Sequence, residues 1–141
     1  MEKSRVLLGA TSSFFIEVSV YVGQFFLSYE MYGEGKRVYE TLYRVIRLAD
    51  GKTHMASKSE LLMLSPLERV DVVLQYGQCI EREKMYVEAC EIYTEARDMM
   101  AGMMERKKKA GWRDKGEEKD WHMKEEEVRE HFIFAKRMRD L

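Results

Sequence analysis

The chain repeats part of its own sequence, and this self-similarity constrains the fold more than any other feature. Residues 22–42 align without gaps on residues 76–96, at an offset of 54 residues. Self-similarity at a fixed offset is typical of arrays of short structural units, so the two segments are expected to fold alike. The matched positions include Gly23-Gln24 on Gly77-Gln78, Met31-Tyr32 on Met85-Tyr86, and Tyr39 on Tyr93.

Helical patterns dominate the rest of the sequence. One Pro and 9 Gly among 141 residues leave few breaks, and apolar residues mostly recur at spacings of three and four. Residues 13–29 also fit a strand because they are rich in β-branched and aromatic side chains, but their length favours a helix. Ser65, Pro66 and Glu68 predict a capped helix start. The predicted helices cover residues 13–29, 31–49, 66–83, 86–109 and 117–139.

Each copy of the repeat resembles a tetratricopeptide repeat, a pair of antiparallel helices of about 34 residues. The second copy, residues 70–103, matches well, whereas the first, residues 16–49, has Gly35 and Leu42 where Ala is usual. Residues 50–69 would be an insertion between the repeats. The resemblance implies an all-α fold of antiparallel helical hairpins. The residues expected to pack the hairpins are Gly23, Tyr32, Tyr39, Gly77, Tyr86, Ala89, Tyr93 and Ala96.

The resemblance also implies a partner-binding surface, because family members commonly bind peptides or helices on the concave face formed by the first helix of each repeat. The best-known mode grips an acidic C-terminus with Lys, Asn and Arg. Val20, Gln24 and Gln75 occupy three of those positions, so that mode is not expected. Gln24 and Gln78 fit equally well as residues that only solvate the groove. The facing residues would be Glu17, Val20, Tyr21, Gln24, Leu27, Asp71, Leu74, Gln75, Gln78 and Arg82.

The last third of the chain is strongly charged but keeps one apolar stripe. We expect residues 117–139 to form an amphipathic helix that either caps the last hairpin or docks on another chain, since open-ended repeat stacks need covering. The basic run at residues 106–109 suits the end of the preceding helix, which Gly111 stops. The apolar stripe consists of Trp121, Val128, Phe132, Ala135 and Met138.

No arrangement typical of catalysis occurs in the sequence, so we expect a protein that is not an enzyme. There is no nucleophile–base set, no metal-ligand spacing and no phosphate-binding Gly loop, and no cofactor is expected. His54, His122 and His131 are scattered, and the last two are expected to be solvated on a helix. Cys79 and Cys90 are expected to be buried as small apolar residues.

Charge and cysteine content bound the remaining functions. The formal net charge of −1 gives no general attraction to nucleic acid or to an anionic membrane. The apolar stretch 6–29 resembles an anchor segment, but Glu17 and several Ser and Thr residues disfavour insertion, so no membrane span is expected. Two cysteines cannot form a disulfide framework, which favours a reducing intracellular compartment, and we expect the cytoplasm.

These observations predict a single helical domain over residues 1–141 that binds protein partners, as a small adaptor or as a structural subunit of a larger assembly. The alternative is a nucleic-acid-associated subunit of a ribonucleoprotein assembly that uses the basic stretch Arg106–Lys109. The acidic residues that follow this stretch weaken its field, which leaves nucleic-acid contact secondary.

Overall fold

A computed structural model describes residues 13–50 and 64–141. These residues form five helices and no strand, which confirms the predicted all-α class. Each helix begins and ends within about two residues of its predicted bounds. The helices are α1 (Ser13–Ser28), α2 (Tyr32–Asp50), α3 (Pro66–Arg82), α4 (Tyr86–Ala110) and α5 (Lys115–Arg139).

The chain divides into two compact units, Met1–Val72 and Val73–Leu141. The first unit contains α1, α2 and the first turns of α3, and the second contains the rest of α3 with α4 and α5. Residues 51–63, most of the predicted insertion, lie outside the described residues. The single helical domain over residues 1–141 stays a prediction.

The turns that join α1 to α2 and α3 to α4 have the same backbone structure. The middle residue of each turn is left-handed, Glu30 with φ 57° and Lys84 with φ 63°. The N–H of the next residue reaches back across the helix end: Met31 donates to the carbonyl of Phe26 at 2.8 Å, and Met85 to that of Ile80 at 3.2 Å. This is the Schellman arrangement of helix ends. Both turns lie 54 residues apart, so the sequence repeat is also a repeat of backbone structure.

Within each unit, a tyrosine ring lies against a glycine of the preceding helix. A Cβ atom built on Gly23 would lie 2.7 Å from Cζ of Tyr39, and one built on Gly77 would lie 2.5 Å from Cε1 of Tyr93. Both tyrosines are fully buried. Because real Cβ atoms essentially never approach other atoms within 3.0 Å, only glycine fits these two positions without a shift of the ring.

Side-chain caps fix the starts of α3 and α5. The predicted capping box of α3 is confirmed, since the Ser65 N–H donates to Glu68 Oε1 at 2.9 Å and the Glu68 N–H donates to Ser65 Oγ at 3.2 Å. Helix α5 begins two residues before its predicted start because Asp114 caps it, accepting from the Glu117 N–H at 2.8 Å. The capping pattern Asp114-x-x-Glu117 is the sequence signal for this earlier start.

Helix α5 packs along α4 and buries much of its apolar stripe. Trp121, Val128 and Ala135 are buried, whereas Phe132 and Met138 are half-buried. The guanidinium of Arg97 on α4 lies 4.5 Å from the centre of the Phe132 ring, a cation–π contact. In the second unit α5 therefore occupies the position of a cap. The buried methionines of α4 are Met100, Met103 and Met104.

Gly77→Ala tests the close contact, with Gly102→Ala as a control in the same unit. The new Cβ at residue 77 would collide with Tyr93, whereas at residue 102 the nearest atom is Arg106 Nη1 at 3.8 Å. We expect Gly77→Ala to lower the free energy of unfolding by about 1–3 kcal/mol. Gly102→Ala should raise it by up to about 1 kcal/mol, because Ala favours a helix over Gly. Chemical denaturation measures both values, and effects of the same sign would contradict the contact.

Val128→Asp tests the cap formed by α5, with Ile133→Asp as its control on the same helix. Val128 is 1% exposed and Ile133 is 41% exposed. A carboxylate at residue 128 has no buried partner, so we expect a loss of several kcal/mol of stability. The exposed control should change stability by about 0.5 kcal/mol or less. Thermal melts measure the difference, and equal melting temperatures would show that α5 does not cover the hairpin.

Candidate protein-binding site

A cleft of about 330 Å³ lies in the first unit, between α1 and the start of α3. Four of the five facing residues predicted for the first copy line it, and the fifth, Leu27, is half-buried and does not. The opposite wall comes from Leu64 and Glu68, which the sequence does not indicate as site residues. The lining residues are Ile16, Glu17, Val20, Tyr21, Gln24, Leu64 and Glu68.

The cleft combines an apolar floor with an acidic rim. Ile16 and Leu64 are 1% and 5% exposed and form the floor. Glu17 and Glu68 carry the two charges of the lining, which includes no basic side chain among the described residues. One oxygen of Glu68 also accepts the capping hydrogen bond at the start of α3, which fixes its carboxylate at the rim. A site of this kind suits a cationic group next to an apolar one.

The corresponding residues of the second copy lie in a different environment. Leu74 is fully buried in the core, Asp71 and Gln75 are half-buried, and Arg82 is exposed. The side-chain amide of Gln78 lies 3.1 Å from Nε2 of a histidine on α5. The structure therefore brings the predicted residues of the first copy together, and it places Gln78 against α5.

His131 is the histidine that contacts Gln78, and the prediction that it is solvated is correct only in part. Its side chain is 30% exposed, and its ring centre lies 5.6 Å from that of Tyr93. His131 follows Val128 by three residues and precedes Ala135 by four, so it lies on the same side of α5 as the buried residues, and this spacing is the signal that identifies it. His122 is exposed beside Glu125, as predicted, and His54 lies outside the described residues.

The Tyr93 hydroxyl donates a hydrogen bond to Glu81 Oε1 at 2.9 Å. Burial and the neighbouring Glu81 carboxylate together raise the pKa of the Tyr93 phenol far above its usual value. Because His131 Nδ1 lies 4.0 Å from the same carboxylate oxygen, Glu81 connects α3 with both α4 and α5. This polar cluster joins the three helices of the second unit.

The basic run at the end of α4 is partly neutralised within the chain. Lys107 Nζ lies 2.8 Å from Glu117, and Lys109 Nζ lies 3.8 Å from Glu105. These ion pairs leave a weaker positive surface than four consecutive basic residues would give.

The cysteines, the possible metal ligands and the apolar helices were the remaining candidate features of the sequence. Cys79 and Cys90 are buried, as predicted. Among residues 13–50 and 64–141, no group of three His, Cys, Asp or Glu side chains is placed to hold a metal ion. In the same two ranges, every helix is too short or too polar to cross a membrane.

No protein-family model, no curated protein and no solved structure matches this chain. The resemblance to tetratricopeptide repeats therefore depends on the residues of the chain itself.

Tyr93→Phe tests the polar cluster through the dependence of stability on pH. Since the folded pKa of Tyr93 lies above its unfolded value of about 10, the fold favours the neutral phenol. This contribution is present below about pH 10 and is lost as the pH rises beyond it. We expect Tyr93→Phe to cost about 1.5–3 kcal/mol at neutral pH and to lose less stability than the wild type between about pH 9 and 11.

Denaturant titrations across this pH range measure the effect. Tyr29→Phe is the matched control, because it removes the same hydroxyl from a side chain that is 67% exposed. An alkaline loss of stability identical in the wild type and in Tyr93→Phe would contradict the role of the buried phenol.

Proposed function

We propose that this chain is a protein-interaction module built from tetratricopeptide-like hairpins, acting as a small adaptor or as a structural subunit of a larger assembly. The observation that carries the proposal is the cleft of the first unit, which gathers Glu17, Val20, Tyr21 and Gln24 on one wall. These residues are the ones that face a partner in the family that the repeat resembles.

The dimensions of the cleft favour a short segment of another protein. Its volume of about 330 Å³ is near the lower end of the usual range for ligand sites, about 300–1,000 Å³. Such a volume accommodates a few side chains, so one apolar anchor on the Ile16 and Leu64 floor would fill most of it. The partner segment therefore carries an apolar side chain beside a Lys or Arg, which pairs with Glu17 or Glu68 at the rim.

The charge of the cleft disfavours nucleic acid as the ligand. Phosphates would meet Glu17 and Glu68, and like charges brought together oppose binding. The basic stretch in the second unit is the other possible contact for phosphates, but Lys107 and Lys109 already pair with glutamates. A peptide of mixed apolar and basic character agrees better with both observations.

Selection from a displayed library of random peptides tests the proposal directly. We expect the wild-type protein to enrich peptides that combine one large apolar residue with a nearby Lys or Arg. Glu17→Lys should lower the affinity for these peptides by about tenfold, since it replaces an attractive charge with a repulsive one. Tyr21→Ala should lower this affinity by a similar factor, because aromatic side chains often dominate such contacts.

Glu88→Lys is the control for Glu17→Lys. It makes the same change at an exposed residue of α4, in the other unit, and should leave peptide affinity unchanged. The proposed cleft would be rejected if the selected peptides bound Glu17→Lys and Tyr21→Ala as tightly as the wild type.

A further inference from the structure

The cleft of the first unit presents two carboxylates that have no basic partner in the described part of the chain. Glu17 and Glu68 border the same space from opposite walls. Among residues 13–50 and 64–141, no Lys, Arg or His side chain forms an ion pair with either of them. Two uncompensated carboxylates beside an apolar floor attract a cation more strongly than the same groups on an open surface.

The capping box of α3 fixes one of these carboxylates. Oε1 of Glu68 accepts from the Ser65 N–H at 2.9 Å, and the Glu68 N–H donates to Ser65 Oγ at 3.2 Å. These two bonds orient the Glu68 side chain and engage only one of its oxygens, so Oε2 is left for a ligand. Because the carboxylate is already oriented, a partner that binds it pays less conformational entropy than it would with a freely rotating side chain.

The wall formed by α1 places an aromatic ring one helical turn from Glu17. Glu17 and Tyr21 are four residues apart, so their side chains are neighbours on one face of the helix. The Tyr21 side chain is 67% exposed, which leaves its ring open to a ligand in the cleft. A cation held by Glu17 therefore lies beside an aromatic ring, and this arrangement adds to the attraction of the carboxylate.

This combination of groups favours a guanidinium over an ammonium ion. A guanidinium is a planar fork of N–H donors that pairs with carboxylates in two parallel hydrogen bonds and stacks on aromatic rings. It is also weakly hydrated, so its transfer to a cleft with Ile16 and Leu64 in the floor costs less. An ammonium is a compact, strongly hydrated point charge, and it gains less from the ring and from the apolar floor.

We infer that the cleft selects arginine, and not lysine, as the basic residue of its partner segment, an inference that rests on the proposed function. The guanidinium pairs with Glu17 and with Oε2 of Glu68 and lies against the ring of Tyr21. An apolar side chain next to the arginine covers Ile16 and Leu64. Glu68 and Tyr21 are then the residues that determine specificity for arginine.

Four capped tetrapeptides that differ in one side chain test this selection on the full chain. Acetyl-Gly-Leu-Arg-Gly-amide is compared with peptides that carry Lys, citrulline or dimethylarginine in place of Arg, and NMR titration measures each dissociation constant. We expect the Lys peptide to bind about tenfold more weakly, because it keeps the charge and loses the fork. The citrulline peptide, which loses the charge, and the dimethylarginine peptide, in which methyl groups block the paired hydrogen bonds, should also bind more weakly than the Arg peptide.

The ratio of the affinities for the Arg and Lys peptides identifies the residues responsible. Glu68→Gln removes the charge and keeps the cap, because a Gln at this position of a capping box also accepts from the Ser65 N–H. We expect the ratio to fall at least about threefold in Glu68→Gln and in Tyr21→Leu, whereas Tyr21→Phe, which retains the ring, should keep it. Glu34→Gln is the matched control, since it makes the same change at an exposed residue of α2 in the same unit, and it should leave both affinities unchanged.

Equal affinities of the wild type for the Arg and Lys peptides would overturn the inference and leave the proposed function standing. An unchanged ratio in both Glu68→Gln and Tyr21→Leu, or a peptide library that yields Lys as often as Arg, would have the same meaning. The proposed function itself fails, and the inference with it, if none of the four peptides binds and the library selection enriches no sequence.

Discussion

The contact between a tyrosine ring and a glycine of the preceding helix holds each hairpin in its arrangement. Because Gly23 and Gly77 lack a Cβ, the rings of Tyr39 and Tyr93 lie directly against the backbone of α1 and α3. The ring fills the space between two helices that approach closely, and full burial makes the contact sensitive to any added atom. A short turn brings the two helices of each hairpin together. It has three residues, and the left-handed middle one reverses the direction of the chain. Both the contact and the turn occur twice, 54 residues apart.

Features set by local interactions could be predicted from the sequence. The helix ends follow from caps and turns within a few residues, as at Ser65 and Glu68, where the side chains that decide the helix start are neighbours in the chain. The all-α class follows from the spacing of apolar residues over long segments. The earlier start of α5 at Lys115 carried the same kind of local signal in Asp114 and Glu117.

Features that depend on distant residues could be predicted only in part. One wall of the cleft was predicted, because its residues recur along one helix. Leu64, just before α3, and Glu68, in its first turn, form the opposite wall, and nothing in their local sequence indicates this. The environment of His131 also depends on Gln78 and Tyr93, which lie far from it in the chain. The strong charge of the surrounding segment concealed this half-buried position, since average polarity describes the outer face of α5 and not the inner one.

The two units cover their apolar surfaces in different ways. In the second unit α5 supplies the cover, with charges on its outer face, so that the hairpin is closed by its own chain. In the first unit α1 has a single charged residue and apolar side chains on every side, a composition normally found where a helix is surrounded by protein. One side faces α2, and the cleft takes up another in the proposed function. A ligand present at about 100 times its dissociation constant adds about 2.7 kcal/mol to the stability of the state it binds. A bound partner would therefore stabilise the first unit, whereas the second unit is covered by α5 of the same chain.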